Sequence, residues 1–233
     1  MYFLMIKITR ALLAFAPQKM FQTKEEYVYE TLRNAIMRCD IRPGEKLIID
    51  TLSVELGVSQ NPIRGALRRL QADKLIEIVP HTGAVVAEIS PDTIEEIFVL
   101  LGSLESAAFE TAADKVTEED ITQLRKLLEA MDTALAEGDS DRWSAINNQF
   151  HLAVAKITRM EMLLEFTGRA LDSWDRLRRC YLKSVVSSRP AQAQAEHHQM
   201  VDLLAQRDTG HLIALLKEHN RNAMEAYQAL LTD

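Results

Sequence analysis

From Pro91 to Leu231 the chain is a near-continuous succession of helix-forming stretches: about Pro91–Ala113, Glu118–Glu137, Asp139–Lys156, Met160–Ser184, Arg189–Arg207 and Thr209–Leu231. Amphipathic helices joined this tightly need a shared core, and an antiparallel bundle is the economical architecture. Thr117-Glu118-Glu119-Asp120, Gly138-Asp139 and Gln206-Arg207-Asp208-Thr209-Gly210 punctuate the run as caps and turns. With 6% aromatics and only 8 Gly and 6 Pro in 233 residues, sandwiches, barrels and collagen-like repeats are excluded.

Residues 20–90 read differently. From Glu25 to Arg38, Val28, Leu32, Ala35 and Ile36 recur at helical spacing, and Cys39-Asp40-Ile41-Arg42-Pro43-Gly44 stops the helix. A second helix, capped by Asp50 or Thr51, runs through Leu52 and Val54 to Leu56 and ends at Gly57. A third has Ser59 as N-cap and Pro62 in its first turn, where the missing N–H costs nothing. Ile63, Ala66, Leu67 and Leu70 form its inward face, while Gln60, Asn61, Arg64 and Arg68 lie opposite, with Arg69 at the edge. Two helices joined by a Gly turn, the second polar and cationic at its start, suit the DNA major groove. Leu75–Val79 and Ala84–Ile89 are β-branched runs around Pro80-His81-Thr82-Gly83, a hairpin whose tip would be the wing of a winged helix-turn-helix.

The net charge of −7 argues against nucleic acid only as an average. Residues 1–19 carry Lys7, Arg10 and Lys19 without acids, residues 20–89 hold 9 basic against 10 acidic groups, and residues 90–233 hold 15 against 24. The acidic excess belongs to the bundle, so a basic face on the first unit stays available to DNA. Taken alone, Arg64, Arg68 and Arg69 read equally well as a solvated helix face.

Over residues 25–90, Ile41-Arg42-Pro43-Gly44-Glu45-Lys46-Leu47, Leu56-Gly57-Val58-Ser59, Pro62-Ile63-Arg64, Ala66-Leu67-Arg68-Arg69-Leu70 and Val79-Pro80-His81-Thr82-Gly83 follow in order. This string closely resembles the DNA-binding domain of GntR-family transcription regulators. The resemblance implies that Ser59, Gln60, Asn61, Arg64, Arg68, Thr82 and Gly83 meet DNA, with Arg33, Arg68 and Lys46 as phosphate contacts. Two departures stand out: Gln60 takes the place of a usual arginine and Gly65 that of a usual glutamate. Gln pairs best with adenine whereas arginine prefers guanine, so the base preference shifts. Gly65 loosens the helix by up to about 1 kcal/mol relative to Ala.

The bundle holds five of the six histidines. Asn147 and His151 stand four apart on one helix face, His197 follows Glu196, and His219 follows Glu218. Three imidazoles and a carbonyl oxygen from separate helices can hold a divalent transition metal such as Zn, with Ni and Mn as alternatives. Residues 92–233 resemble the ligand-sensing FCD domain of the FadR subfamily, whose pattern places Asp-x-x-Phe-His, then Glu-His, then a final His twenty-two positions on. Phe150-His151, His197, His219 and Asp208 match, and Asn147 replaces the aspartate, leaving a bound ion less compensated by one charge. Leu101 stands where many members carry an arginine, so Arg176 or Arg179 is the candidate cation for an acidic effector. Glu196 and Glu218 fall one position off the ligand face, His198 points about 100° away, His211 is expected at the surface and His81 in the wing.

The expectation is therefore a mainly α protein: an uncertain extension over 1–19, a winged-helix DNA-binding domain over 20–90, and an all-helical effector-binding and dimerisation domain over 91–233. Its function would be a dimeric, ligand-responsive transcription regulator that binds palindromic operator DNA and a small organic acid near a metal, not an enzyme, with no membrane partner. A metal-dependent hydrolase or a pure metal sensor is the alternative, although the hydrolase lacks a His-Glu-x-x-His motif. Cys39 and Cys180 have neither disulfide-framework nor metal-ligand spacing, which points to inert thiols in a reducing cytoplasm. The apolar stretch Met1 to Phe21 resembles an export signal, with Ala14-Phe15-Ala16 imitating a cleavage site, but the apolar run is poor and Pro17 follows the triplet at once; a start near Met20 or an arm packing on a partner is the favoured reading.

Overall fold

In a computed structural model of the chain, residues 23–79, 83–181 and 189–228 are described. They fall into two compact units, the first comprising the described residues up to Ile89 with residues 176–181, the second residues 90–175 with residues 189–228. The extension over 1–19 and the wing residues His81 and Thr82 lie outside the described residues.

The first unit holds α1 (Lys24–Met37), β1 (Lys46–Leu47), α2 (Ile49–Leu56), α3 (Gln60–Ala72), β2 (Ile76–Val79) and β3 (Gly83–Val86). Thr23 caps α1 by accepting the Glu26 N–H at 3.0 Å, and the helix buries the expected stripe of Val28, Leu32, Ala35 and Ile36. That stripe packs with Leu52, Ile63, Leu67, Leu70, Ile76 and Val86 into one core. Gly57 ends α2 at φ 64°, a left-handed conformation that a side chain would strain, and so sets the tight turn into α3.

Two local expectations are corrected. α2 starts at Ile49, before Asp50 and Thr51, with Ile48 in the cap position and no side-chain cap bond. Ser59 does occupy the N-cap of α3, but its hydroxyl makes no capping bond. β2 and β3 form the expected antiparallel hairpin, in the register Ile76↔Val86 to Val79↔Gly83. The two-residue β1 adds a third strand on β3, in the order β1-β3-β2, which is too short for any periodicity to reveal.

Gly65 also has a packing role. A Cβ there would land on the Glu25 carboxylate of α1, so the glycine that loosens α3 in isolation makes room for a side chain of α1. The family's usual glutamate at this position would require Glu25 to swing away.

The second unit holds α4 (Pro91–Lys115), α5 (Glu118–Ala136), α6 (Ser140–Ile157), most of α7 (Glu161–Tyr181), α8 (Arg189–Gln206) and α9 (Thr209–Gln228). Four of these begin where local chemistry dictates. Ser90 caps α4 ahead of Pro91, Thr117 and Asp120 form a reciprocal capping box on α5, and Asp139 and Asp208 accept the Arg142 and His211 N–H groups. α5 packs on α6 and α8, while α4 packs on α6 and α9, and α8 on α9. Their apolar faces meet in a core that includes Phe109, Leu124, Leu128, Met131, Phe150, Val154, Met200, Leu204, Leu212 and Leu216. Among the described residues no helix is long and apolar enough to cross a membrane.

The cysteine expectation is overturned. Cys39, after α1, and Cys180, near the end of α7, are joined in a disulfide across 141 residues. Sequence spacing is silent on a pair that only tertiary packing brings together.

Candidate functional site

The first site is the start of α3. Ser59, Gln60, Asn61, Arg64 and Arg68 are all exposed, as are Gly83 at the start of β3 and Lys46 on the edge strand β1. The buried positions of the same helix, Ile63, Ala66, Leu67 and Leu70, anchor it to the core. Gln60 is held rather than free: its Nε2 donates to Asp50 Oδ1 at 2.6 Å, and its Oε1 accepts from Arg64 Nη2 at 3.3 Å. α2 thus orients the head of α3 through Asp50. Arg69 turns away and lies 3.9 Å over the Tyr29 ring, whose hydroxyl donates to Asp73.

The second site is in the bundle. His151 of α6, His197 of α8 and His219 of α9 are buried, and each offers a ring nitrogen within 4.8 Å of the others. Ligand nitrogens about 2.1 Å from a common ion would stand roughly 3.4 Å apart in tetrahedral array, so a small contraction suffices. Asn147 is buried one turn before His151. Phe109, Phe150 and Trp143 wall the cluster with aromatic rings: Phe150 lies 5.0 Å from His197 and 5.2 Å from His151 between centroids, and Trp143 stacks on His197.

Two carboxylates back the imidazoles. His219 Nδ1 donates to Glu196 Oε2 at 2.5 Å, and Arg189 donates to Glu196 Oε1 at 2.9 Å and to the His219 carbonyl at 2.8 Å. Glu105 Oε1 lies 2.8 Å from His151 Nδ1, an ion-pair approach without a straight hydrogen bond, and Asn220 donates to its Oε2 at 3.0 Å. These contacts occupy Nδ1 of His219 and face Nδ1 of His151, which leaves their Nε2 atoms for a ligand. His197 is fully buried, and neither ring nitrogen has a hydrogen-bond partner among the described residues. Orphaned buried imidazole nitrogens are costly, at about 1–3 kcal/mol each. A cation held between the rings gives one of these nitrogens a partner, and the donor set fits a divalent metal.

Protonation supports the same chemistry. Burial, with His219, His151 and Arg189 nearby, holds His197 well below its ordinary value. Burial likewise lowers His219, against the pull of Glu196. Burial would raise Glu196, but hydrogen bonds from His219 and Arg189 prevail and bring it to about 2. Glu105 is also held low, by His151, His219 and Asn220 against its burial. Neutral imidazoles beside ionised carboxylates are the forms that bind a metal.

Several of these residues escaped the sequence. Glu196, expected one position off the ligand face, reaches His219 because α9 packs on that flank of α8. Glu105, Asn220 and Arg189 carried no motif that pointed to the cluster. Arg176 lies in the stretch grouped with the first unit and donates to the Ala87 carbonyl at 2.7 Å; Arg179 lies in the same stretch. Leu101 is buried against Ala170 and Leu171. His198 pairs with Asp132, and His211 is exposed and pairs with Asp208.

Residues 24–86 match the bacterial regulatory proteins of the gntR family, and residues 96–222 match the FCD domain. An HTH-type transcriptional regulator in the TAR-I ttuE-ttuC' intergenic region of Agrobacterium vitis is 36% identical over 126 residues, 53% of this chain and 74% of that protein. The HTH-type transcriptional repressor RspR of Escherichia coli is 25% identical over 209 residues, 90% of this chain and 91% of its own. The solved structure of E. coli McbR/YncC superposes with a TM-score of 0.73 at 22% identity, covering 90% of this chain and 99% of that one. A winged helix-turn-helix followed by an FCD helical bundle makes this chain a member of the GntR family of transcription regulators, in its FadR subfamily.

Proposed function

We propose that the protein is an operator-binding regulator whose DNA affinity is set by a metal-assisted ligand site in the bundle. Ser59, Gln60, Asn61 and Arg64 enter the major groove, Thr82 and Gly83 follow the adjoining backbone, and Arg68, Lys46 and Arg33 meet phosphates. Two copies of the chain read a palindromic operator in the cytoplasm. His151, His197 and His219, with Asn147 as an oxygen donor, hold a divalent ion such as Zn, Ni or Mn, which when bound supplies a Lewis-acidic position for a carboxylate.

The observation that carries this reading is the convergence of three buried imidazoles, two of them backed by carboxylates, in a chain that also presents an exposed polar helix start. Charge favours an anionic effector. A dication with Arg189 against Glu105 and Glu196 leaves one positive charge uncompensated, since Asn147 is neutral. Sensing is favoured over hydrolysis because Glu105 and Glu196, the carboxylates at the cluster, face imidazole Nδ1 atoms and are bonded by Asn220 and Arg189, which leaves neither poised as a general base.

The test is selection of duplexes from a random pool by the full chain, followed by titration of the selected duplex with small carboxylic acids in the presence of metal. Enrichment of a palindrome whose binding responds to an acid supports the reading. A protein that enriches no sequence, or one whose binding ignores every acid while retaining the metal, contradicts it.

A further inference from the structure

Cys39 and Cys180 stand with their Cα atoms 5.2 Å apart, inside the range of about 4.4–6.8 Å that disulfides occupy. Cys39 sits just past α1 in a left-handed conformation at φ 60°, which turns the chain sharply out of the helix. α1 is the helix that packs on α3. Cys180 is in the last turn of α7, one turn after Arg176, whose buried guanidinium donates to the Ala87 carbonyl just past β3. The terminal turns of α7 are therefore fastened within the first unit by a covalent bond and a hydrogen bond. Nearer its start, the same helix packs Leu163 and Leu164 on the bundle core.

Both cysteines are only half-buried, so small oxidants and reductants reach them. A reachable thiol with a resolving partner in bonding range has the arrangement of a redox sensor.

We propose that the Cys39–Cys180 pair is a redox-operated clasp, which when oxidised fixes the end of α7 to α1 of the DNA-reading unit and when reduced lets it go. The oxidant is a hydroperoxide. One thiolate attacks the peroxide oxygen, giving a sulfenic acid and an alcohol; the second thiol then displaces the sulfenic oxygen as water and forms the disulfide. A dithiol reverses the step by exchange, ending as its own cyclic disulfide with two free cysteines on the protein. The proposed consequence for transcription rests on the DNA-reading function above, whereas the clasp itself does not.

The experiment treats the full-length protein with dithiothreitol or with hydrogen peroxide and reads thiol alkylation by mass spectrometry. It then reads hydrogen exchange over residues 172–181 and affinity for the pool-selected duplex. In the expected result, peroxide removes both alkylatable thiols within one chain, exchange over 172–181 slows, and duplex affinity changes by at least about fivefold. Cys39→Ser and Cys180→Ser each abolish all three effects. Two thiols that stay alkylatable after peroxide, or exchange rates equal in both states, overturn the clasp. A clasp that forms and slows exchange but shifts duplex affinity by less than about twofold overturns its regulatory role. Failure to select any duplex refutes DNA reading, and alkylation and exchange then decide the clasp without it.

Discussion

Glu196→Gln is the most informative single change in the bundle. The carboxylate accepts from His219 Nδ1 at 2.5 Å and from Arg189 Nη1 at 2.9 Å, with Arg189 Nη2 2.9 Å from its Oε2 as an ion pair, in a site where the Glu196 and Arg189 side chains are only 10% and 13% exposed. Glutamine keeps the shape, and its carbonyl still accepts one hydrogen bond, so His219 retains the tautomer that turns Nε2 to the cluster. What is lost is charge. A hydrogen bond to a charged group contributes about 1.5–3 kcal/mol against about 0.5–1.5 for a neutral one, a difference of about 1.25 kcal/mol between midpoints, or about eightfold in metal affinity. Glu196→Ala also removes the acceptor and frees the ring to rotate, which takes the loss toward about a hundredfold. Competition for zinc against a chromophoric chelator at neutral pH measures both. Affinities within about twofold of the parent in both variants, with binding abolished in His197→Ala, would refute the claim that Glu196 acts on the ion through His219.

Other expectations follow from the same geometry. Arg64→Ala weakens binding of the selected duplex by about 1–3 kcal/mol with circular dichroism unchanged, and an unaltered equilibrium constant rejects its place in the groove. His197→Ala leaves the chain without stoichiometric metal after dialysis, as read by elemental analysis; one retained equivalent discredits the three-histidine site. Metal-free protein loses stability in acid in two stages. His197 and His219 titrate below the ordinary 6.5 when folded, so their contribution is full above that pH and declines as pH falls beneath it. Glu196, lowered from 4.5 to about 2, and Glu105, also lowered, contribute above 4.5 and are lost as the pH falls further. Urea midpoints at successive pH values check this, and a midpoint that does not fall between about pH 7 and about pH 5 contradicts the first stage.

What the sequence made legible was local or periodic. Thr117 with Asp120, Asp139 and Asp208 announce helix starts because a cap acts within one turn. The inward stripe of α3 follows from its spacing, and the histidines are visible because their types and intervals are distinctive. What stayed hidden depends on which surfaces meet. Glu196 lies off the face that carries His197, and its partner His219 arrives on a different helix, α9. Arg189 reaches back from the first turn of α8 to the carbonyl of a residue thirty positions on. Gly65 is a weakness by helix propensity alone, and only the packing of α1 brings Glu25 over it. The union of Cys39 with Cys180 spans 141 residues, a distance at which no local rule operates.

The claim that unites the two units is that occupancy of the histidine cluster sets how tightly the α3 surface holds DNA. Affinity for the selected duplex, measured on one preparation first stripped by chelator and then reloaded with zinc, tests it directly. The account predicts a change of at least about fivefold that reverses on reloading and is absent in His197→Ala. Equal affinity in the stripped and reloaded states, with the metal demonstrably bound, would contradict it.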